Sequence, residues 1–125
     1  MIEGIGIDLV ENDRIEKIIN KWGDKFLHRV FSDIEIKYCV RHAQASLHFG
    51  ARFAAKEAFL KALGIGLGMG VKLREIEVVH DHNGKPDLVL QGEACVQMKK
   101  REIKKIHLSL THTNKYATAI VLLEK

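Results

Sequence analysis

Cysteine, proline and long apolar runs are scarce in this chain of 125 residues. The two cysteines, Cys39 and Cys95, form no CxxC motif and are expected to be small buried residues in a reducing compartment. No apolar run reaches the length of a membrane span, and the initial Met-Ile-Glu-Gly-Ile lacks the basic region of a secretory signal. These absences predict a cytoplasmic protein that has no membrane partner.

The residues that are present fit one small globular domain. Apolar residues make up 46% and charged residues 29% of the sequence, which is ordinary for a soluble fold. No repeat, linker or low-complexity segment divides the chain, and 125 residues can bury one core. We therefore expect a single domain over residues 1–125.

A formal charge of +4 favours an anionic partner, which could be nucleic acid, an acidic protein or a phosphorylated small molecule. The basic residues are spread over the chain and are not interleaved with exposed aromatic residues. This distribution argues weakly against a surface on which single-stranded nucleic acid stacks. No nucleic-acid partner is expected, although the residues alone leave an RNA-binding module open as an alternative.

The first strand has two unlike faces. Residues 2–10 alternate, so that one face is apolar and the other carries Gly4, Gly6 and Asp8. Two glycines on one face of a strand indicate that another part of the chain approaches closely. Asp8 lies at the end of this face, where it either caps the next helix or has a functional role.

Two helices are predicted before the longest one. The first runs from about Asn12 to Lys21, and its basic strip consists of Arg14, Lys17 and Lys21. Such a strip is either an ordinary solvated face or a docking surface for an acidic helix. Ser32 followed by Glu35 forms a capping box that begins a helix running to about His42.

The longest predicted helix begins near Ala45 and ends at Leu63, before the stop residue Gly64. An apolar stripe follows one side of it, formed by Phe49, Phe53, Phe59, Leu60 and Leu63. Glu57 lies at the margin of this stripe, and Lys61 lies one turn further along the same flank. The two residues form either a routine surface ion pair or part of a functional site.

Glycines at 64, 66, 68 and 70 predict a loop whose backbone N–H groups can approach a phosphate or an adenine ring. Residues 73–80 and 87–90 are predicted to pair as strands around Asn83-Gly84. His80 and His82 flank this turn, and turn polarity explains them better than metal binding. A helix at 92–101 and two strands at 106–113 and 116–123 complete an α+β fold, in which a mainly antiparallel sheet packs against the long helix.

The chemistry-bearing residues suggest a phosphate site. Asp8 and Glu57 offer hard oxygen ligands for Mg²⁺, while Lys61 and His112 can approach phosphate oxygens. Spacing alone does not show that residues 8 and 57 meet. Two classes stay open on the residues alone: a Mg²⁺-dependent phosphotransfer enzyme, and a non-catalytic module that binds RNA or an acidic protein.

Three segments occur in an order that resembles a known family. They are GIGIDLV at residues 4–10, RFAAKEA at 52–58 with Lys61 and Ala62, and SLTH at 109–112. Together they resemble the holo-[acyl-carrier-protein] synthases, the small bacterial type of 4′-phosphopantetheinyl transferase. The resemblance covers nearly the whole chain in length and motif order.

This resemblance implies transfer of 4′-phosphopantetheine from coenzyme A to a serine of apo acyl carrier protein in fatty acid biosynthesis. It implies that Asp8, Glu57 and Lys61 are catalytic, with Mg²⁺ held by Asp8 and Glu57 and phosphate contacted by Lys61. Glu57 is the expected general base, acting through a metal-associated water. Some relatives carry an acidic residue after the last motif, whereas this chain has Thr113.

The resemblance also predicts the residues that hold coenzyme A and the surfaces that meet other chains. Gly64, Gly66 and His112 are expected at the nucleotide and its phosphates, the helix with Arg14 is expected to dock the carrier protein, and a homotrimer is expected to place active sites between subunits. Arg52 and Lys56 are further candidates for phosphate, although Lys56 could instead extend along the apolar stripe with its charge in water.

Overall fold

The part of the chain that a computed structural model describes, residues 1–66 and 70–125, forms five helices and five strands. Its first half contains β1 (Ile2–Glu11), α1 (Asn12–Trp22), α2 (Asp24–Val30), α3 (Asp33–Val40) and α4 (Ala45–Leu63). Its second half contains β2 (Ile76–His80), β3 (Pro86–Leu90), α5 (Gly92–Lys100), β4 (Lys105–His112) and β5 (Tyr116–Glu124). None of these helices is long and apolar enough to cross a membrane. The predicted glycine loop is described only in part, because Gly68 and its two neighbours lie outside the described residues.

Both sheets are antiparallel. One has the strand order β1-β5-β4 and the other is the hairpin β2-β3. The turn between β4 and β5 is tied to the start of α1, because the Asn12 side chain donates to the carbonyls of Thr113 at 3.0 Å and Asn114 at 3.3 Å. The arrangement confirms the predicted α+β class.

Helix α4 lies at the centre of the fold and packs against β1 and β5. It is buried on more than the predicted stripe: Ala54, Ala55 and Ala58 are fully buried, whereas Phe53 is only half-buried. Short alanine side chains let the strands approach the helix closely on these faces. The helix ends at Gly64 in the left-handed conformation (φ 74°), as the sequence predicts.

Two predicted boundaries are wrong for local reasons. Residues 73–75 form a 3-10 turn instead of the start of a strand. There the Glu75 carboxylate accepts from the N–H groups of Lys72 at 2.7 Å and Glu93 at 2.8 Å. Helix α3 ends at Val40, before the predicted His42, whose ring binds the carbonyl of Tyr38 at 2.9 Å.

Lys56 is fully buried, so both sequence-based interpretations of this residue are wrong. Its ammonium donates to Glu35 at 2.7 Å and to the carbonyls of Leu73 and Ile76. The predicted capping box at Ser32 is confirmed, and the same Glu35 carboxylate also accepts from Val78 N–H at 3.0 Å. Lys56 therefore joins α4 to α3 and to the beginning of β2, with no donor left for a phosphate.

Candidate active site

The two glycines of β1 bring this strand against α4. A Cβ atom added at Gly4 would lie 2.0 Å from the Ala62 carbonyl oxygen, and one at Gly6 would lie 2.0 Å from that of Ala58. Any larger residue would force the strand away from the helix. The close approach that the sequence predicted is thus made by α4, and it places Asp8 beside the flank of α4 that carries Glu57 and Lys61.

Asp8 and Lys61 form an ion pair. The Lys61 ammonium lies 2.9 Å from Asp8 Oδ1 and also donates to the carbonyl of Ile7 at 3.1 Å. The Asp8 side chain is 14% exposed and that of Lys61 is 55% exposed. The Thr118 hydroxyl donates to the Asp8 carbonyl at 2.8 Å. The carboxylate is therefore held in a fixed position, while the lysine amine remains open to solvent.

Glu57 belongs to the same site. Burial raises the pKa of its carboxyl group, the negative charge of Asp8 raises it further, and the Lys61 ammonium opposes the shift. The two carboxylates are close enough to repel each other, which is a common arrangement at functional sites. The crossing of β1 and α4 therefore brings residues 8 and 57 together, which their spacing in the sequence alone does not show.

The two carboxylates line a cleft of about 310 Å³ between β1, α1 and α4. Apolar walls are supplied by Ile15, Ile18 and Phe53, and further polar groups by Glu11, Arg14 and Tyr116. Arg14 is thus the member of the basic strip of α1 that also lines the cleft with the two carboxylates. Tyr116 is a wall residue that sequence reasoning missed, because nothing local distinguishes it from an ordinary strand residue.

The donor set fits Mg²⁺ better than a softer metal. Within the described ranges, no group of three or more His, Cys, Asp or Glu side chains is arranged to hold a metal ion. Mg²⁺ usually takes only one or two protein carboxylates and completes its shell with water and substrate phosphates. Asp8 and Glu57 match this pattern, and a cation between them would relieve the repulsion that raises the pKa of Glu57.

A surface with basic and apolar residues extends from this cleft along α1 and α2. Arg14, Lys17 and Lys21 are exposed, as the helical spacing predicts. Beside them lies an apolar patch that consists of Ile18, Trp22 and Phe26, with Lys25 and Arg29 at its edge. Trp22 is 53% exposed, which is unusual for so large an apolar side chain.

Arg52 and His112 lie in a second group, which we call the histidine–arginine cluster and which consists of Tyr38, His42, His48, Arg52, His80 and His112. The residues that line the carboxylate cleft include neither Arg52 nor His112. Within one chain, the predicted phosphate residues are therefore divided between two places. Their roles stay predictions.

Gly64 and Gly66 lie directly after α4. The Gly64 N–H donates to the Lys61 carbonyl at 3.0 Å and is used in ending the helix. Gly66 is exposed, and a Cβ atom there would meet no atom of the described residues within 4 Å. The binding role of both glycines stays a prediction.

Sequence reasoning missed most of the histidine–arginine cluster. His80 stacks on Tyr38 with ring centroids 5.4 Å apart, so turn polarity is not a sufficient explanation for this residue. The members come from α3, from the connection between α3 and α4, and from α4, β2 and β4, and no periodicity within one element could have indicated that they meet.

Comparisons with known proteins agree with this architecture. The model of a family described as the 4′-phosphopantetheinyl transferase superfamily matches residues 4–121. A holo-[acyl-carrier-protein] synthase from Syntrophus aciditrophicus (strain SB) is 52% identical over 124 residues, covering 99% of this chain and 97% of that relative.

Solved structures are similar over the full length. The holo-[acyl-carrier-protein] synthase from Neisseria meningitidis superposes with a TM-score of 0.92 at 33% identity, covering 100% of both chains. A holo-(acyl-carrier-protein) synthase from Bacillus anthracis str. Ames, solved in complex with CoA (3′,5′-ADP), superposes with a TM-score of 0.81 at 37% identity, covering 99% of this chain and 97% of that one.

Proposed function

The chain belongs to the 4′-phosphopantetheinyl transferase superfamily, and we propose that it performs the transfer at the cleft that contains Asp8 and Glu57. It moves 4′-phosphopantetheine from coenzyme A to a serine hydroxyl of apo acyl carrier protein, which yields holo carrier protein and adenosine 3′,5′-bisphosphate. The observation that carries this assignment is the meeting of Asp8, Glu57 and Lys61 where β1 crosses α4.

Asp8 and Glu57 would hold Mg²⁺ together with the pyrophosphate of coenzyme A. When bound, the ion supplies positive charge that stabilises the phosphate oxygens. Lys61 has an exposed amine on a flexible stem, so it can turn from Asp8 toward a phosphate oxygen. Removing Mg²⁺ with a chelator should therefore stop transfer, and an undiminished rate in the chelator would contradict this assignment.

Glu57 is the general base that the geometry favours. The serine oxygen forms a bond to the phosphorus next to the pantetheine, and the bond from this phosphorus to the leaving phosphate oxygen breaks. The serine proton passes to Glu57 through a water, and the electron pair leaves with adenosine 3′,5′-bisphosphate. The position of Glu57 in the cleft beside Asp8 supports this assignment, because bound Mg²⁺ would offset the repulsion that raises the pKa of Glu57 in the free protein.

The surface of α1 and α2 is the proposed dock for the carrier protein. Its basic strip of Arg14, Lys17 and Lys21 would attract an acidic helix, and the neighbouring patch around Trp22 would cover that helix's apolar side. Because Arg14 also lines the cleft, a helix docked here would present its serine to Glu57. The carrier implied is the one of fatty acid biosynthesis, in the cytoplasm.

A homotrimer with active sites between subunits is the assembly that we propose for this single-domain chain. The face of β1 opposite α4 exposes Ile5 at 62%, Ile7 at 63% and Leu9 at 63%. Such a row of apolar side chains on a sheet face is typical of an interface. Subunit contacts would also let one chain's carboxylate cleft meet the histidine–arginine cluster of its neighbour, which the single chain keeps apart.

The reaction can be tested directly. The protein is incubated with coenzyme A, Mg²⁺ and an apo acyl carrier protein, and the mass of the carrier is measured before and after. We expect the carrier to gain the mass of one phosphopantetheine group. The absence of this increment, together with RNA binding that survives moderate salt, would instead favour the non-catalytic basic module.

A further inference from the structure

A buried asparagine at the start of α1 joins three parts of the fold. Asn12 is only 2% exposed, although asparagine at the beginning of a helix usually lies at the surface and caps the helix. Its side-chain amide instead donates to the carbonyls of Thr113 at 3.0 Å and Asn114 at 3.3 Å, and its backbone N–H donates to that of Lys115 at 2.8 Å. These three bonds, which we call the Asn12 clamp, hold the turn between β4 and β5 against α1.

The turn itself is ordered by Thr113. Its hydroxyl oxygen accepts from the N–H groups of Lys115 at 3.2 Å and Tyr116 at 3.1 Å, and its backbone N–H donates to the Tyr116 carbonyl at 2.7 Å. Both lone pairs of the hydroxyl oxygen are thus used by the backbone, which gives Thr113 a structural role in the turn. Because the turn is ordered internally, the Asn12 clamp sets the position at which Tyr116 begins β5.

The remaining atom of the Asn12 amide faces α4. Its Oδ1 is buried and has no hydrogen-bond partner among the described residues, and a Cβ atom added at Gly50 would collide with it. Gly50 therefore leaves room for the amide, at a cost both in helix propensity and in an unpaired buried oxygen. An apolar pair at positions 12 and 50 would avoid both costs and would give up only the hold on an exposed turn. That hold is therefore what the arrangement provides.

The Asn12 clamp joins two walls of the carboxylate cleft. Arg14 lies two residues after Asn12 in α1, and Tyr116 follows the turn; both line the cleft together with Asp8 and Glu57. The two carboxylates are held separately, by the crossing of β1 and α4. The clamp thus fixes the side of the cleft that adjoins the proposed dock, and leaves the carboxylates to other contacts.

We propose that Asn12 is a positioning residue for the transfer reaction: its amide holds the β4–β5 turn against α1 and so fixes the wall of the cleft that receives the carrier serine. The inference rests on the proposed function. Loss of the clamp leaves the charges of the dock and the carboxylates in place, so both substrates still bind, but the serine is presented less precisely. Misplacement of a reacting group by about 1 Å can cost about 100-fold in rate, so kcat is the quantity that should fall.

Steady-state kinetics on Asn12→Ala tests the role, at a temperature at which circular dichroism shows the variant to be folded. We expect kcat to fall by about tenfold or more, while KM for coenzyme A and KM for the acyl carrier protein change by less than about twofold. Asn20→Ala removes an exposed asparagine amide from the same helix and should keep the wild-type kcat. A merely structural role of Asn12 would lower the Tm and leave the kcat of the folded protein unchanged.

A double-mutant cycle with Gly50→Ala gives a second readout that keeps the amide. In the wild-type background the added methyl group displaces Asn12 Oδ1, so Gly50→Ala should lower kcat in the same way, even though alanine favours the helix. In the Asn12→Ala background this collision is absent, and Gly50→Ala should cause no further loss. If Asn12→Ala does not fold, Gly50→Ala decides alone, together with faster hydrogen exchange at the Asn12 N–H.

Each outcome bears on the positioning role. A loss of kcat in both single variants, with both KM values retained and no further loss in the double variant, supports it. If the wild-type protein transfers phosphopantetheine and the variants match its kcat, the inference is wrong and the proposed function stands. A raised KM for coenzyme A with an unchanged kcat, or an equal further loss in the double variant, also overturns it. If the wild-type protein transfers nothing, the proposed function fails and the positioning role fails with it.

Discussion

At the scale of single residues, the site depends on a carboxylate that is costly to keep charged. Glu57 is half-buried and faces Asp8, so its charged form destabilises the folded chain. The closeness of the two carboxylates also suits this site to bind a cation or to accept a proton from the substrate. Lys56, the neighbour of Glu57 in sequence, has a structural role, because its ammonium donates to Glu35 and to two backbone carbonyls.

Glu57→Gln should therefore fold at least as stably as the wild-type protein at neutral pH. The pKa of Glu57 is raised above its usual value of 4.5, so the folded state is penalised above the raised pKa, and the penalty disappears as the pH falls below 4.5. Thermal melts should show the advantage of the variant at pH 7.5 and its loss at pH 4. A lower Tm of the variant at pH 7.5 would contradict the cause assigned to the shift.

At the scale of elements, the crossing of β1 and α4 builds the site. Gly4 and Gly6 allow strand and helix backbones to approach, and this approach brings Asp8 to the flank with Lys61. Helix α1 follows directly and carries the basic strip to the rim of the same cleft. The strand that packs against α4 is therefore followed directly in the chain by the helix that carries the proposed docking surface.

Gly6→Ala should destabilise the protein by about 3 kcal/mol, because the new methyl group would collide with the Ala58 carbonyl and the strand would have to shift. Gly66→Ala is the matched control, since a Cβ atom there meets no atom of residues 1–66 and 70–125 within 4 Å. Urea denaturation of both variants measures the difference. Equal stabilities would mean that the strand and helix are less closely packed than described.

Charge reversal on α1 tests the carrier dock. Arg14→Glu should raise KM for the acyl carrier protein by about tenfold and change KM for coenzyme A much less, because repulsion acts on the acidic helix. Lys37→Glu, an exposed substitution on α3, is the control for a general effect of charge. An equal rise of both KM values in Arg14→Glu would place the dock elsewhere.

Local rules predicted the elements better than their contacts. The extent of α4, its end at Gly64 and the capping box at Ser32 follow from residues adjacent in sequence. The meeting of Asp8 and Glu57 does not, because it depends on how β1 crosses the helix; the family resemblance, not the spacing, indicated it. Lys56 was misjudged for the same reason, since its partner Glu35 belongs to another helix.

At the scale of the whole molecule, we propose that the complete site forms between copies of the chain. One chain provides the carboxylates, the lysine and the proposed dock, while its histidine–arginine cluster lies apart from the cleft. The exposed face of β1 offers a surface on which copies can associate. A trimer would bring these parts together.

Ile7→Asp should convert the trimer into monomers, because a carboxylate would be buried in the interface. Ile34→Asp is the control: both isoleucines are similarly exposed in the single chain, at 63% and 64%, but Ile34 lies on α3. Sedimentation equilibrium measures the masses. A trimeric Ile7→Asp protein, or a monomeric wild type, would contradict the proposed assembly.

The most direct test of the central claim is the initial rate at which apo acyl carrier protein gains phosphopantetheine, measured for wild-type protein and Glu57→Gln at saturating coenzyme A and Mg²⁺. The Asp8–Glu57 site predicts a loss of at least about 100-fold in the variant, with its fold and melting behaviour preserved. A folded Glu57→Gln protein that transfers phosphopantetheine at the wild-type rate would show that the reaction takes place elsewhere.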